Sequence, residues 1–172
     1  MERAAVRPTN RPARLGADAG NSEQLRTDAL DLRIIRHLLV DGRISFRRLA
    51  HELRVSVNTV SSRVARLEAA GVLKGYAASV DFEKLGYGLT AVTEVTVSKG
   101  KLLEMEREIA RLPGVCAVYD VTGEIDGVVV GKFRSRDELS HFTKGLMSLP
   151  FVERANTHLV LTTVREDFRV PV

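Results

Sequence analysis

The sequence predicts an α+β chain with a helical N-terminal domain and a C-terminal domain in which strands and helices alternate. Two observations predict this class. Apolar residues between Thr27 and Gly71 recur at helical spacing in three short segments. Beyond residue 88, four segments favour strands and two favour helices, in the order β-α-β-β-α-β. We therefore expect two domains, at residues 27–76 and 89–172, joined by a linker at residues 77–88.

Positive charge is concentrated near the N-terminus. Residues 1–26 carry five arginines against three acidic residues, mixed with proline and glycine and without an apolar period, which indicates a disordered basic tail. Residues 27–75 hold nine basic against five acidic residues, whereas residues 76–172 hold twelve against fourteen. A basic domain joined to a slightly acidic one is the pattern expected when only the first domain binds nucleic acid.

Three short helices are predicted in the N-terminal domain. Thr27 is expected to cap the first, which ends near Asp41, while Ser45 caps the second and Ser56 the third. Only a tight turn fits between the second and third helices. Two short helices joined in this way form a helix-turn-helix, which places its second helix in the major groove of DNA.

The third helix has one apolar stripe and one polar face. Val57, Val60, Val64 and Leu67 define the stripe, and the opposite side carries no carboxylate before Glu68. Short hydroxyl, amide and guanidinium groups suit base edges and phosphates. An ordinary solvated helix surface is the alternative interpretation. The predicted DNA-binding residues are Ser56, Asn58, Thr59, Ser62, Arg63 and Arg66.

The C-terminal domain contains an internal duplication. A Leu-Pro pair at Leu112-Pro113 and again at Leu149-Pro150 stands at the same helix-to-strand junction of each half. Two β-α-β units form a ferredoxin-like sheet with both helices on one face. The predicted elements are strands at Leu89–Val97, Val115–Thr122, Val128–Phe133 and Val152–Thr163, and helices at Lys101–Leu112 and after a capping box at Ser135–Glu138.

The second face of this sheet is also expected to be apolar. Val118, Val128, Val130 and Leu161 indicate this, and a monomer would expose them as a large apolar patch. We therefore expect two chains to associate sheet to sheet. The single cysteine, Cys116, stands among apolar neighbours and is predicted to be a small buried residue without a disulfide.

Several classes of protein are disfavoured by the sequence. It has no apolar run long enough to span a membrane and no secretory signal, so an intracellular location is expected. Its four histidines lack the spacing of metal ligands, and no phosphate-binding loop or nucleophile with a nearby base is present. We expect no catalytic residue, no metal and no cofactor.

A set of short motifs is arranged in order along about residues 27–168. The residues that form it are Asp31, Ile34-Ile35, Asp41-Gly42-Arg43, Leu49-Ala50, Ser56, Val60, Arg63, Leu67-Glu68, Gly71-Val72-Leu73, Gly75-Tyr76, Leu85–Leu89, Thr122-Gly123 and Asp126. In this order they resemble the Lrp/AsnC, or feast/famine, transcription regulators. The resemblance implies a winged-type helix-turn-helix that binds promoter DNA, a ferredoxin-like body that forms dimers and often octamers, and a cytoplasmic, nucleoid-associated protein.

The same resemblance implies a small effector, usually an amino acid, held near Thr122, Gly123 and Asp126. A glycine turn can present backbone N–H groups to a carboxylate, and Asp126 can meet an ammonium group. The alternative is that Gly123 only makes the turn and Asp126 only caps it.

Two further functions remain as alternatives. Siroheme decarboxylases resemble this family in architecture, but they need histidine and aromatic residues on the sheet, and residues 119–133 contain neither histidine nor tryptophan. An effector-sensing oligomer without DNA binding is the other alternative, and the basic polar face of the third helix argues against it.

Overall fold

The computed structural model describes residues 26–170 and Val172, so the expected tail lies outside the described residues apart from Arg26. The described chain divides into two compact units. Residues 26–77, with the last described residues from Arg169 onward, form the head, and residues 78–168 form the body. The elements in order are α1 (Ala29–Val40), α2 (Phe46–Leu53), α3 (Val57–Ala69), β1 (Leu89–Val97), α4 (Leu102–Ile109), β2 (Val115–Asp120), β3 (Gly127–Phe133), α5 (Arg136–Met147) and β4 (Val152–Leu159).

The head is a three-helix unit around a small apolar core. Each helix supplies one stripe, so that the core is built from residues at helical spacing, as the sequence predicts. Val57 is the exception: it was predicted to belong to the stripe of α3, but at the first position of that helix it is 43% exposed. No strand is assigned between α3 and β1 in the described chain. The buried core residues are Ile34, Leu38, Leu49, Ala50, Leu53, Val60, Val64 and Leu67.

The predicted caps of α2 and α3 are confirmed, and that of α1 is wrong by one residue. The Ser45 hydroxyl accepts from the Arg48 N–H at 3.2 Å, and the Ser56 hydroxyl accepts from the Thr59 N–H at 3.0 Å. Asp28, not Thr27, caps α1, because its carboxylate accepts from two N–H groups of the first turn.

The body is a four-stranded antiparallel sheet in the order β2-β3-β1-β4, with α4 and α5 packed on one face. This is the predicted ferredoxin-like arrangement. Alternate residues of β1 and β3 face the helices and are buried with Met105 and Phe142. Their neighbours form the other side, which we call the outer face and define by Thr90, Val92, Glu94, Val128, Val130 and Lys132.

Three predictions about the body's residues are corrected. Val118 packs against the helix-side core, and Leu161 lies beyond the end of β4 and is 94% exposed. Val128 and Val130 do lie on the outer face. Cys116 is exposed, not buried, because the pairing of β2 with β3 shifts register between Val115 and Ala117.

Within residues 26–170 and Val172, none of the helices has both the length and the apolar character needed to cross a membrane.

Candidate nucleic-acid interface

The N-terminus of α3 is rigidly built. Besides capping the helix, the Ser56 hydroxyl lies 2.8 Å from the Thr59 hydroxyl, and the Ser62 hydroxyl donates to the Thr59 carbonyl at 3.1 Å. These local bonds hold short side chains along one side of the first two turns. A helix N-terminus also presents unpaired N–H groups and a positive dipole end, both of which favour a phosphate.

The solvent-facing side of α3 matches the predicted polar face in part. Asn58 and Ser62 are exposed, Thr59 is half-buried, and Val60, Val64 and Leu67 point into the head core. The first acidic residue on this helix is Glu68, whose carboxylate accepts from the Tyr76 hydroxyl at 3.0 Å. The first turns of α3 therefore present neutral hydrogen-bonding groups of the kind that read base edges.

Arg63 and Arg66 are not free on this surface. The Arg63 guanidinium is bonded to Asp28 and, at 3.1 Å, to Oδ1 of Asp31, while the Arg66 guanidinium is bonded to Oδ2 of Asp31. Their side chains keep 29% and 41% of their exposure. The two arginines thus join α3 to the start of α1, a role that sequence reasoning missed.

The acidic partners belong to the capping box of α1. Asp31 is fully buried, and its Oδ2 also accepts from the Asp28 N–H at 3.0 Å. Hydrogen bonds from the Asp31 N–H and from Arg63 lower the pKa of Asp28 to about 2, and the bonds to Asp28 and Asp31 raise the pKa of Arg63. The Asp28–Asp31 pair with its three-residue spacing was the available signal in the sequence.

Other cations of the head are exposed. Arg43, Arg47, Arg54 and Lys74 are all exposed, and Arg48 is bonded to Glu52 at 2.9 Å. Arg54 occupies the turn between α2 and α3 in a left-handed conformation with φ 57°. The charge excess predicted for residues 27–75 is therefore carried mainly by side chains that solvent, or phosphate, can reach.

The predicted effector hairpin lies between β2 and β3. Thr122 and Gly123 are exposed, and Gly123 has φ 131°. The Oδ2 of half-buried Asp126 accepts from the Val97 N–H at 2.8 Å, and its own N–H donates to the Val95 carbonyl at 3.0 Å. Asp126 thus links the hairpin to the end of β1.

The outer face of the body combines apolar and charged groups. Lys132 Nζ lies 3.0 Å from Glu166, which belongs to the segment that follows β4, and His158 Nε2 lies 3.7 Å from Glu94. Residues 162–168 line a cleft with Thr90, Val92 and Val130. Among the residues that the structure describes, no three histidine, cysteine or acidic side chains are grouped to hold a metal.

Similarity to known proteins covers both units. Residues 27–74 match the winged helix-turn-helix DNA-binding family, and residues 90–170 match the Lrp/AsnC ligand binding domain. An uncharacterized HTH-type transcriptional regulator of Pyrococcus abyssi is 45% identical over 143 residues, which cover 83% of this chain and 97% of that protein. The chain belongs to the Lrp/AsnC family. Another relative, the HTH-type transcriptional regulator FL11 of Pyrococcus horikoshii, is 33% identical over 84% of this chain and 96% of its own length.

Solved structures of Lrp/AsnC proteins agree with this membership. The complex of the Neisseria meningitidis regulator NMB0573 with L-Met has a TM-score of 0.77 at 27% identity, covering 84% of this chain and 96% of that one. LrpC of Bacillus subtilis has a TM-score of 0.73 at 26% identity, covering 83% and 100%. This Lrp/AsnC protein is a DNA-binding transcriptional regulator, as are the family members to which it is similar.

Proposed function

We propose that this regulator binds promoter DNA with the exposed face of α3, in which Asn58, Thr59 and Ser62 read base edges while Ser56 stands at the phosphate end of the helix. The observation that carries the proposal is the arrangement of short, neutral side chains at the capped N-terminus of α3. Arg63 and Arg66 contribute from the edge of this face, where they stay partly exposed.

DNA binding should respond to loss of the Ser62 hydroxyl. Ser62→Ala is expected to weaken binding of promoter DNA in fluorescence anisotropy titrations, because a hydroxyl near the groove contacts base or phosphate. Ser148→Ala is the matched control, since the exposed Ser148 side chain, at the C-terminal cap of α5, also donates its hydroxyl to a carbonyl three residues earlier, at 2.7 Å. Equal affinity of both variants and the wild type would exclude Ser62 from the interface.

The outer face of the sheet is the proposed dimer surface, and octamers are a further proposed assembly. Val92, Val128 and Val130 supply apolar area there, and a second copy would remove it from water.

The two-fold symmetry of such a dimer predicts DNA half-sites about 34–36 Å apart, or a multiple of that distance. Sedimentation of Val130→Glu should give monomers, since a carboxylate buried at the interface is costly.

The hairpin of Thr122, Gly123 and Asp126 is the proposed effector site. Gly123 exposes the backbone at the tip, and the L-Met complex of the Neisseria relative supports an amino acid as the ligand class. Asp126→Asn retains an oxygen that can accept from the Val97 N–H but removes the charge that would meet an ammonium group. Calorimetry with a panel of amino acids should show a ligand for the wild type and a weaker response for this variant.

Effector control of DNA binding requires different affinities of the ligand for two assemblies of the regulator. The coupling free energy is typically about 1–3 kcal/mol. Because its proposed target is promoter DNA, the protein is proposed to be associated with the nucleoid.

A further inference from the structure

The head contains four charged side chains that link α1 to α3, and we call them the head ion-pair cluster: Asp28, Asp31, Arg63 and Arg66. The two carboxylates differ in environment. Asp31 is fully buried, whereas the Asp28 side chain is 50% exposed. This difference divides the cluster into a fixed part and an exchangeable part.

Asp31 is the fixed part. One oxygen of its carboxylate accepts from Arg63, and the other accepts from Arg66 and from the Asp28 N–H. Releasing either arginine from it would leave a buried charge without full compensation, which is strongly unfavourable. Asp31 therefore keeps α3 in place against α1.

Asp28 is the exchangeable part because its two oxygens have separate roles. Oδ1 accepts from the Leu30 and Asp31 N–H groups, both at 2.9 Å, and so caps α1. Oδ2 is bonded to Arg63. If Arg63 leaves Asp28, the cap and the stabilising N-terminus of α1 remain, so the carboxylate is not stranded.

An exposed ion pair is weak and exchanges readily with another anion. Arg63 belongs to the same helix as Asn58 and Ser62, and a guanidinium pairs with a phosphate by the same forked geometry as with a carboxylate. Asp28 stays ionised at neutral pH, since its pKa is about 2. A DNA phosphate must therefore displace a permanent internal anion to gain this arginine.

We propose that Asp28 is a built-in competitor for DNA, which shares the Arg63 guanidinium with Asp31 in the free protein and gives up its place there to a phosphate on binding, while Asp31 keeps its bonds to Arg63 and Arg66 and the position of α3. This inference rests on the proposed binding of DNA by α3. Asp28 thereby lowers affinity for every DNA sequence, so binding depends more on the neutral side chains that read bases.

The test compares Asp28→Asn with the wild type in titrations of promoter DNA at low salt. Asparagine retains a capping oxygen but carries no charge. Affinity should rise about two- to fivefold, which is the value of an exposed ion pair expressed as an equilibrium constant. In an Arg63→Ala background, the same substitution should give no comparable rise.

Glu68→Gln is the control, because it removes one negative charge from α3 itself without touching the cluster. Its effect should be the same with Arg63 or with Ala at that position. A rise for Asp28→Asn that persists undiminished in the Arg63→Ala background would show general electrostatic repulsion and overturn the proposal. No rise, or weaker binding by a folded Asp28→Asn protein, would overturn it as well.

Folding is checked by circular dichroism, and Asp28→Ser provides a second uncharged residue with a capping oxygen. The proposed DNA contact by α3 and the proposed competitor role of Asp28 can be contradicted by different results. If the wild type shows no salt-dependent binding to any promoter DNA, the proposed DNA contact by α3 fails. If the wild type binds and the double-mutant cycle shows no coupling between Asp28 and Arg63, only the competitor role fails.

Discussion

The head and the body of this regulator differ in the polar side chains that they bury. The head buries the carboxylate of Asp31 completely and joins two helices with arginines, whereas Thr93 is the buried polar residue found among the described residues of the body. Thr93 pairs with the Thr157 hydroxyl at 3.0 Å. A small three-helix unit thus uses ion pairs to fix one helix, while the larger sheet-and-helix unit depends on apolar packing.

This difference has a functional consequence for α3. A helix that is proposed to read DNA needs an exposed polar face, and α3 contributes only one stripe to a small core. Ion pairs along its edge supply orientation without adding apolar surface. We therefore expect the head to respond to changes of charge and the body to respond to changes of volume.

The largest effect is expected from Asp31→Ala. It should lower the free energy of unfolding of the head by about 2–4 kcal/mol, because the hydrogen bonds that the buried carboxylate accepts from Arg63, Arg66 and the Asp28 N–H are lost. Urea denaturation followed by circular dichroism measures this. Asp81→Ala, at a half-exposed carboxylate paired with Lys84, is the control and should change stability by less than about 1 kcal/mol. Similar effects of both variants would remove the contrast between head and body.

The body should be sensitive to added volume at Gly131. A Cβ there would stand 2.7 Å from the Phe133 ring and 3.2 Å from the Gly114 carbonyl, so Gly131→Ala should cost about 1–3 kcal/mol. Gly88→Ala is the control, because nothing lies within 4 Å of its Cβ position. Denaturation midpoints compare the two variants, and equal midpoints would contradict the tight packing of the sheet.

The turn between α2 and α3 should tolerate glycine at Arg54. This residue has φ 57°, which costs an L-residue about 1–2 kcal/mol, and glycine avoids that cost but loses more entropy on folding. Arg54→Gly should therefore shift stability by less than about 1 kcal/mol, whereas Arg54→Val should destabilise the head because branching disfavours this conformation. Thermal unfolding should give a lower midpoint for Arg54→Val than for Arg54→Gly.

The smallest effect is expected in the dependence of stability on pH, through Asp28. The pKa of Asp28 is lowered from 3.8 to about 2, so its contribution to stability is complete above about pH 4 and is lost as the pH falls toward 2. Asp28→Asn should remove this part of the acid dependence. Unfolding midpoints measured between pH 5 and pH 2 should fall less steeply for Asp28→Asn than for the wild type. If the two proteins lose stability in parallel as the pH falls, the Asp28 carboxylate contributes nothing to the acid dependence of stability.

Local features of the fold were predictable, and distant pairings were not. The caps at Ser45 and Ser56 and the alternation of β1 follow from neighbouring residues, and the sequence predicts them correctly. The partners of Arg63 and Arg66 lie more than thirty residues away, so helix periodicity assigns them only to a surface. Likewise, the register shift that exposes Cys116 depends on the pairing of β2 with β3 and leaves no local signal.

The candidate sites show the same limit. The strand pattern placed Gly123 and Asp126 correctly in the turn between two strands, but it put Thr122 in the first strand, which ends at Asp120. The bond from the Val97 N–H to Asp126 comes from a strand nearly thirty residues earlier. Asn58 and Ser62 were predictable as exposed residues because the stripe of α3 fixes their direction. Their roles in binding DNA stay predictions.

The most direct test measures sequence discrimination by Asn58. DNA sites selected in vitro by the wild type are titrated with the wild type and with Asn58→Ala over a range of salt concentrations. We predict that log affinity falls linearly with log salt concentration for both proteins with the same slope, and that Asn58→Ala loses about 1–3 kcal/mol of preference for the selected sites over random DNA. Equal preference of both proteins would contradict base reading by α3.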